Sequence, residues 1–531
     1  MPRMTLDTAP FASRRYLYLA VFTAGMTTLA VEISASRLLG NVFGTSNLVW
    51  ANIIGLILVY LTAGYFLGGR WADKHPDPRA FYQLLAWAAF MAGLVPLVAR
   101  PVLRFAAEAV ANFDAPVMGG SFFAVLILFS IPVTLLGCVS PFAIRLALTD
   151  PAQAGRVSGR MYAISTLGSI VGTFTPVLWL IPTLGTVRTF LLFAGILLLV
   201  ALIGLWRAGG RRQTLYLLWM PLLLIGLAVF TLAGPFKPTA GLVYESESEY
   251  NFIQVVERGD THYLLLNEGQ GIHSMYNPKE LATLGTWDYF LAAPYFNAAP
   301  HASTKVKSLA LVGLAAGTIA KQYTAVYGAL PIDGFEIDPG IVAVGRRYFD
   351  MNEPNLNVVI QDGRWALAHS TKRYSVIGVD AYRLPYIPWH LTTKEFFEEA
   401  RAHLADDGAL VINVGRTFTD RRLIEAMVGT LHSVFPSVYV ADIPNTFNSI
   451  VFATVQPTQS ENLLSNRVLM DDKVPALLRD TLTRTIANLQ LTPRVASETV
   501  FTDDVAPVEQ LTNSIVIRFI LSGSVYQLEV K

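Results

Sequence analysis

The chain has 531 residues, 53% of them hydrophobic, with 40 Lys and Arg against 39 Asp and Glu, and one cysteine. This length exceeds one ordinary core and points to two or more units. A net charge of +1, with no clustered basic face in either half, argues against a nucleic-acid partner, and the lone Cys138 excludes an intrachain disulfide.

Long apolar runs with few carboxylates fill Tyr16 to Leu232, whereas charge becomes frequent after Gly241. About 20 apolar residues cross the hydrocarbon core as a helix. Seven segments meet that test: Tyr16 to Leu39, Leu48 to Gly68, Tyr82 to Ala99, Met118 to Cys138, Met161 to Leu184, Thr189 to Trp206 and Thr214 to Ala233. The first lacks the cleavage pattern of a signal peptide and carries Glu32 and Arg37. Charge in lipid is costly, so those two residues are either functional candidates or an ion pair, within the bundle or with Arg70 and Asp73, that locks the first helix to the second. Gly64, Gly68, Gly168 and Gly172 make small-xxx-small faces for close helix packing. Arg14 and Arg15, then Arg70, Lys74 and Arg79, then Arg145, Arg156 and Arg160, then Arg207, Arg211 and Arg212 fall on one side, so the positive-inside rule places the N-terminus in the cytoplasm. Seven crossings then leave the C-terminal half outside, which sits badly with a cytosolic ligand, and the side stays open.

Past the last apolar run, Phe252-Ile-Gln-Val-Val256 and His262-Tyr-Leu-Leu-Leu266 flank the turn Arg258-Gly259-Asp260 and read as a β-hairpin. From Lys307 apolar strands alternate with amphipathic helices, which predicts a parallel sheet covered on both faces. In such a sheet a ligand lies beyond the carboxyl ends of the strands. The first strand runs into Val312-Gly-Leu-Ala-Ala-Gly-Thr318, where Gly313 and Gly317 permit a tight turn and close backbone approach to a ligand. Glu336 closes the second strand 19 residues after Gly317, where an acid can accept from both ribose hydroxyls. Asp362-Gly363 follows the third strand, where a carboxylate can receive an adenine amine, and Asp380 closes the fourth. Buried carboxylates without partners are costly, so three in succession suggest a site; the competing reading is that they cap the following helices. Tyr382, Tyr386 and Trp389 either wall a cation site or pack a lid. His273 either lines the pocket mouth or is an ordinary loop histidine, and no residue set has convincing metal spacing.

These features resemble the spermidine synthase family of aminopropyltransferases, in its membrane-fused bacterial branch, over nearly the whole chain. The resemblance rests on Glu32-Ile-Ser-Ala-Ser-Arg-Leu-Leu39, Phe43-Gly-Thr-Ser46 and Gly64-Tyr-Phe-Leu-Gly-Gly-Arg-Trp-Ala-Asp73. In the second half it rests on Phe335-Glu-Ile-Asp-Pro339, Gln361-Asp-Gly363, Val379-Asp380, His390-Leu-Thr-Thr-Lys-Glu-Phe-Phe397 and Thr502-Asp-Asp-Val-Ala-Pro-Val-Glu509. It implies a multi-pass helical membrane domain (1–235) in a bacterial cell membrane. Next come a hairpin-containing part (241–300), a Rossmann-like, methyltransferase-type α/β domain (301–456) and a C-terminal extension (457–531).

The resemblance further implies decarboxylated S-adenosylmethionine as aminopropyl donor, a polyamine or other amine as acceptor, no metal, and a possible homodimer through the hairpin. Glu336 would hold the ribose, Asp362 would read adenine, and Asp380 would help deprotonate the amine. Gly313, Gly317, Gly363 and Asn251, near the family's hairpin glutamine, would complete the donor site. The family's glycine-loop acid is Ala315 here, its tyrosine-histidine pair aligns with Thr286-Trp287, and an acid three places past the catalytic aspartate is Arg383. At contact, Arg383 would repel a dication by roughly 1 to 4 kcal/mol, unless an acid such as Glu268 or Glu395 offsets it. Arg383, Tyr382, His273 and Glu268 are thus acceptor-side candidates. Two alternatives stay open: a methyltransferase using S-adenosylmethionine itself, and a non-catalytic polyamine or nucleoside transporter or sensor.

Overall fold

A computed structural model describes residues 11–43, 47–112, 117–267, 271–382, 386–490 and 499–521. The chain divides into two compact units, the first reaching Pro238 and the second running from Thr239, apart from a short exchange of residues 247–249.

The first unit is helical: α1 (Phe11–Phe43), α2 (Asn47–Lys74), α3 (Pro78–Asn112), α4 (Val117–Ala147), α5 (Ala154–Thr175), α6 (Ile181–Leu184), α7 (Thr186–Arg207), α8 (Arg211–Leu217) and α9 (Trp219–Leu232). A π-helical turn, Pro176–Leu180, joins α5 to α6 at the proline, where a missing N–H interrupts the regular ladder. Seven helical stretches, the last formed by α8 with α9, are long and apolar enough to cross a membrane. Large side chains such as Phe66, Phe123 and Phe230 stand exposed on them, as suits contact with lipid.

The expected glycine faces are close contacts. A Cβ on Gly168 or Gly172 would come within 2.0 or 1.9 Å of the Phe22 or Met26 carbonyl oxygen, so α5 lies directly on the backbone of α1. Gly64 and Gly68 do the same for α2 against Thr134 and Cys138 of α4. Asp73 pairs with Arg145, at 3.2 Å, a partnership between α2 and α4 that the sequence reading did not anticipate.

The second unit begins with a four-stranded sheet, β1 (Leu242–Glu247), β2 (Phe252–Arg258), β3 (Thr261–Leu266) and β4 (Ile272–Tyr276), in that order. The expected hairpin is its central antiparallel pair, β2 with β3. After the short helix α10 (Thr286–Tyr289) the alternating part follows: β5 (Leu309–Val312), α11 (Thr318–Tyr327), β6 (Ile332–Glu336), α12 (Pro339–Tyr348), β7 (Leu356–Ile360), α13 (Gly363–Ala368), β8 (Tyr374–Val379), α14 (Lys394–Ala402), β9 (Leu404–Gly415) and α15 (Arg422–His432). It ends with β10 (Ser437–Asp442), β11 (Asn448–Thr454), α16 (Glu461–Val468), α17 (Ala476–Asn488), β12 (Leu489–Gln490) and α18 (Val508–Leu521).

The large sheet has the order β12-β10-β11-β9-β8-β5-β6-β7. It is Rossmann-like, but mixed where a parallel sheet was expected: β7, β6, β5, β8 and β9 run parallel, whereas β11 is antiparallel to β9 and β10, and β12 is antiparallel to β10. The short link between β10 and β11 explains the difference, since a parallel pair needs a crossover of a dozen or more residues and an antiparallel pair needs only a turn. Successive residues of β5 feed two cores. Ala310 and Val312 join Phe396 and Met427 on one face, while Leu309 and Leu311 join Tyr323, Leu478 and Leu482 on the other. The chain leaves β5 toward β7 and then returns to β8, so strand order reverses beside the carboxyl end of β5, where ligands bind in open α/β sheets.

Candidate active site

At that reversal the β5–α11 loop turns through two left-handed glycines, Gly313 at φ +90° and Gly317 at φ +88°. A Cβ on Gly313 would lie 2.6 Å from the Asp380 carbonyl oxygen, so glycine lets the loop press against the end of β8. Ala315, also left-handed at φ +47°, donates its N–H to Glu336 Oε2 at 2.9 Å. Asp338 N–H donates to Oε1 at 3.0 Å. Burial dominates over these two donors and pushes the Glu336 carboxyl up to about 7.

Asp338 caps α12 by accepting from Gly340 N–H at 2.8 Å, and its other oxygen accepts from Asn251 Nδ2, also at 2.8 Å. Asn267 holds Asn251 in turn, at 2.9 Å. Asn251 is therefore brought to the acidic end of β6 from the end of the central β2–β3 pair of the small sheet. Ser274 on β4 accepts from Ala316 N–H at 2.9 Å, tying that sheet to the glycine loop as well.

Asp362 does cap a helix, accepting from Trp365 N–H at 3.0 Å, but its second oxygen meets His390 Nε2 at 3.1 Å. That contact, more than any other, holds the Asp362 carboxyl below the ordinary carboxylate range. Gly363 starts α13 with its Cα against Val312, where a Cβ would sit 2.6 Å from Cγ1.

Asp380 is gripped from two sides. Trp287 Nε1 donates to Oδ2 at 3.0 Å and Asn413 Nδ2 donates to Oδ1 at 2.9 Å. Burial outweighs both bonds and pushes the carboxyl up to about 6. Tyr382 donates its hydroxyl to the Asn413 carbonyl oxygen at 3.1 Å, stacking a second layer onto the same strand end.

Glu336, Asp362 and Asp380 thus stand at the carboxyl ends of β6, β7 and β8, the first and third both touching the glycine loop. A separate small hollow, with room for about one water, lies between β4 and α11, lined by Ala316, Thr318 and Gln322 among others but by none of the three acids. His273 lies on β4; its buried Nε2 has no hydrogen-bond partner, and burial pushes the imidazole down to about 4, which keeps it neutral. No described contact joins it to Asp380. Glu268 and Arg383 lie outside the described residues. Among the described residues no group of three His, Cys, Asp or Glu could hold a metal ion.

Three residues escaped the sequence reading. Asn413 interrupts the apolar run Leu410-Val-Ile-Asn-Val414, and a polar residue inside a strand was its signal. His390 offered only its place before a helix. Asp288 gave no signal at all, yet it is fully buried. It accepts from Thr283 N–H and Oγ1, Leu284 N–H, Gln322 Nε2 and, at 2.7 Å, Arg484 Nη2. This anchors the turn that carries Trp287.

The C-terminal unit is a Rossmann-like domain of the methyltransferase type with its acids at the strand ends. Residues 300–466 match the spermine/spermidine synthase domain, and this part of the chain is similar to that family. It is 33% identical over 287 residues to a probable polyamine aminopropyl transferase of Bifidobacterium longum, covering 51% of this chain and 62% of that one. It is 26% identical over 258 residues to a polyamine aminopropyltransferase of Vibrio vulnificus, covering 46% of this chain and 83% of that one. The chain therefore spans less than two thirds of the Bifidobacterium relative. A probable spermidine synthase from Corynebacterium glutamicum superposes with a TM-score of 0.38 at 21% identity, over 49% of this chain and 99% of that one.

Proposed function

We propose that the C-terminal unit transfers an aminopropyl group from decarboxylated S-adenosylmethionine to an amine of the polyamine class, as part of a bacterial membrane protein. The observation that carries this reading is the meeting of the Asp380 strand end with a glycine loop that also holds Glu336. Glu336 would take the ribose hydroxyls and Asp362 the adenine amine. The acceptor nitrogen, freed of a proton by Asp380, attacks the methylene next to the sulfonium. A C–N bond forms, the C–S bond breaks, and its electron pair stays on sulfur to give neutral methylthioadenosine. A carboxylate near 6 is largely ionised at neutral pH, yet closer in basicity to the amine than an ordinary aspartate. Alignment and electrostatics supply the rest.

The test is incubation of the full chain in detergent with the decarboxylated donor and a panel of amines. Methylthioadenosine should form with at least one amine; none above an Asp380→Asn control sinks the proposal. Ala315 favours a second reading, methyl transfer from S-adenosylmethionine, because without an acid there nothing at that position repels the carboxylate that the decarboxylated donor lacks. Tighter calorimetric binding of the carboxylated donor than of the decarboxylated one would select it.

A further inference from the structure

The loop end of α7 gathers Arg79 with Arg207 and Arg211, which come from three helices. Arg79, at the start of α3, donates its Nε to the Ala208 carbonyl oxygen at 3.1 Å. Arg207, the last residue of α7, places its guanidinium 4.7 Å from the centre of the Tyr16 ring on α1. Tyr16 is itself fixed by donating to the Val200 carbonyl oxygen at 2.8 Å and by packing its ring 5.9 Å from that of Tyr82. Arg211, at the start of α8, lies 5.3 Å from the ring of Trp206, which is 45% exposed. All three arginines are exposed.

None of the three has a carboxylate within ion-pair distance among the described residues. The composition explains why: no Asp or Glu occurs between residues 151 and 238, and Glu32 is the sole acid between 11 and 43. The nearby Asp73 is already paired with Arg145, and Asp77 accepts from the Arg79 backbone N–H at 2.9 Å, not from its guanidinium. These guanidiniums are therefore oriented by rings and by a helix-terminal carbonyl, which leaves their remaining N–H forks free. Unpaired cations at one helix end normally repel one another, so the arrangement calls for an anion. A flat guanidinium fork beside an exposed tryptophan, at the end of a membrane-spanning helix, suits a phosphate at headgroup level.

We propose that Arg79, Arg207 and Arg211 form a binding site for the phosphodiester headgroup of an anionic phospholipid, with Tyr16 and Trp206 orienting the guanidiniums. The acyl chains would lie along the apolar flank of α7, as expected where basic corners between membrane helices meet the interface.

Native mass spectrometry of the full chain, titrated with phosphatidylglycerol, phosphatidylcholine or soluble glycerophosphate, tests this. Phosphatidylglycerol should be retained at least about tenfold better than phosphatidylcholine, and an Arg79→Gln/Arg207→Gln variant should lose most of that preference. Arg188→Gln should keep it, since Arg188 lies near the opposite end of α7, about 28 Å away at 1.5 Å per residue. An unaltered melting temperature in zwitterionic detergent verifies that the double variant is folded, and Arg211→Gln alone supplies the comparison if it is not. Equal retention of the two lipids, or an unchanged preference in the arginine variants, overturns the proposal. Competition by glycerophosphate as strong as that by the lipid also overturns it, in favour of a small-anion site.

Discussion

Trp287 Nε1 donates a hydrogen bond to Asp380 Oδ2 at 3.0 Å, across 93 residues of sequence. An indole N–H is a neutral donor that cannot be titrated away, so it stabilises the ionised carboxylate at every pH. Replacing it with Trp287→Phe should raise the Asp380 pKa above about 6, because burial then acts against one donor rather than two. In the proposed reaction the acid limb of kcat/KM should move upward by roughly half a unit to one unit, as expected for one net hydrogen bond of about 1 kcal/mol. A pH profile of the variant checks this, and an unmoved limb would separate Trp287 from Asp380 ionisation.

Asp380 and Glu336 also link stability to pH. Their folded values, about 6 and about 7, lie above the ordinary values of 3.8 and 4.5 for free aspartate and glutamate side chains. Each thus contributes stability that is complete below its unfolded value and lost as pH rises through its folded value. The full chain should lose stability between pH 4.5 and 7, and Glu336→Gln should remove part of that slope, on the order of 3 kcal/mol at most. Melting temperatures across this window give the answer; a slope identical in the variant contradicts the assignment.

Asp288 supports Trp287 from behind. Arg484→Met removes the charged partner of a fully buried carboxylate, and breaking such a pair costs about 3–5 kcal/mol, less here to the extent that the other donors compensate. The expected results are a lower melting temperature and a weaker grip on Asp380. Because Asp288 is adjacent to Trp287, the same variant should displace the acid limb in the direction of Trp287→Phe, only less.

Gly172 carries the packing of α5 on α1. Its Cβ would fall 1.9 Å from the Met26 carbonyl oxygen, so Gly172→Val must push two helices apart. Loss of folded yield in detergent, with Gly155→Val as an exposed control that meets nothing within 4 Å, is the expected outcome.

Much of this architecture was readable from residue pattern. Apolar runs announced seven long apolar helical stretches, alternation announced the β5–β9 core, and the acids at strand ends marked one edge of the sheet. Pattern could not show that β11 inserts antiparallel between β9 and β10, because apolar strands carry no sign of direction. Nor could it show that Asn413 and Trp287 converge on Asp380, or that His390 meets Asp362. Those contacts join residues 93, 33 and 28 positions apart, and only the crossovers bring them together. The basic corner at α7 was legible only as charge on a common side: its arginines come from three helices, and pattern could not show which carbonyl or ring each one meets.

The most direct measurement is a structure of the full chain with decarboxylated S-adenosylmethionine bound. The ribose hydroxyls are expected on the Glu336 carboxylate, the adenine amine on Asp362, and the aminopropyl carbon facing Asp380. Donor density seated elsewhere, with all three acids untouched, would contradict the assignment.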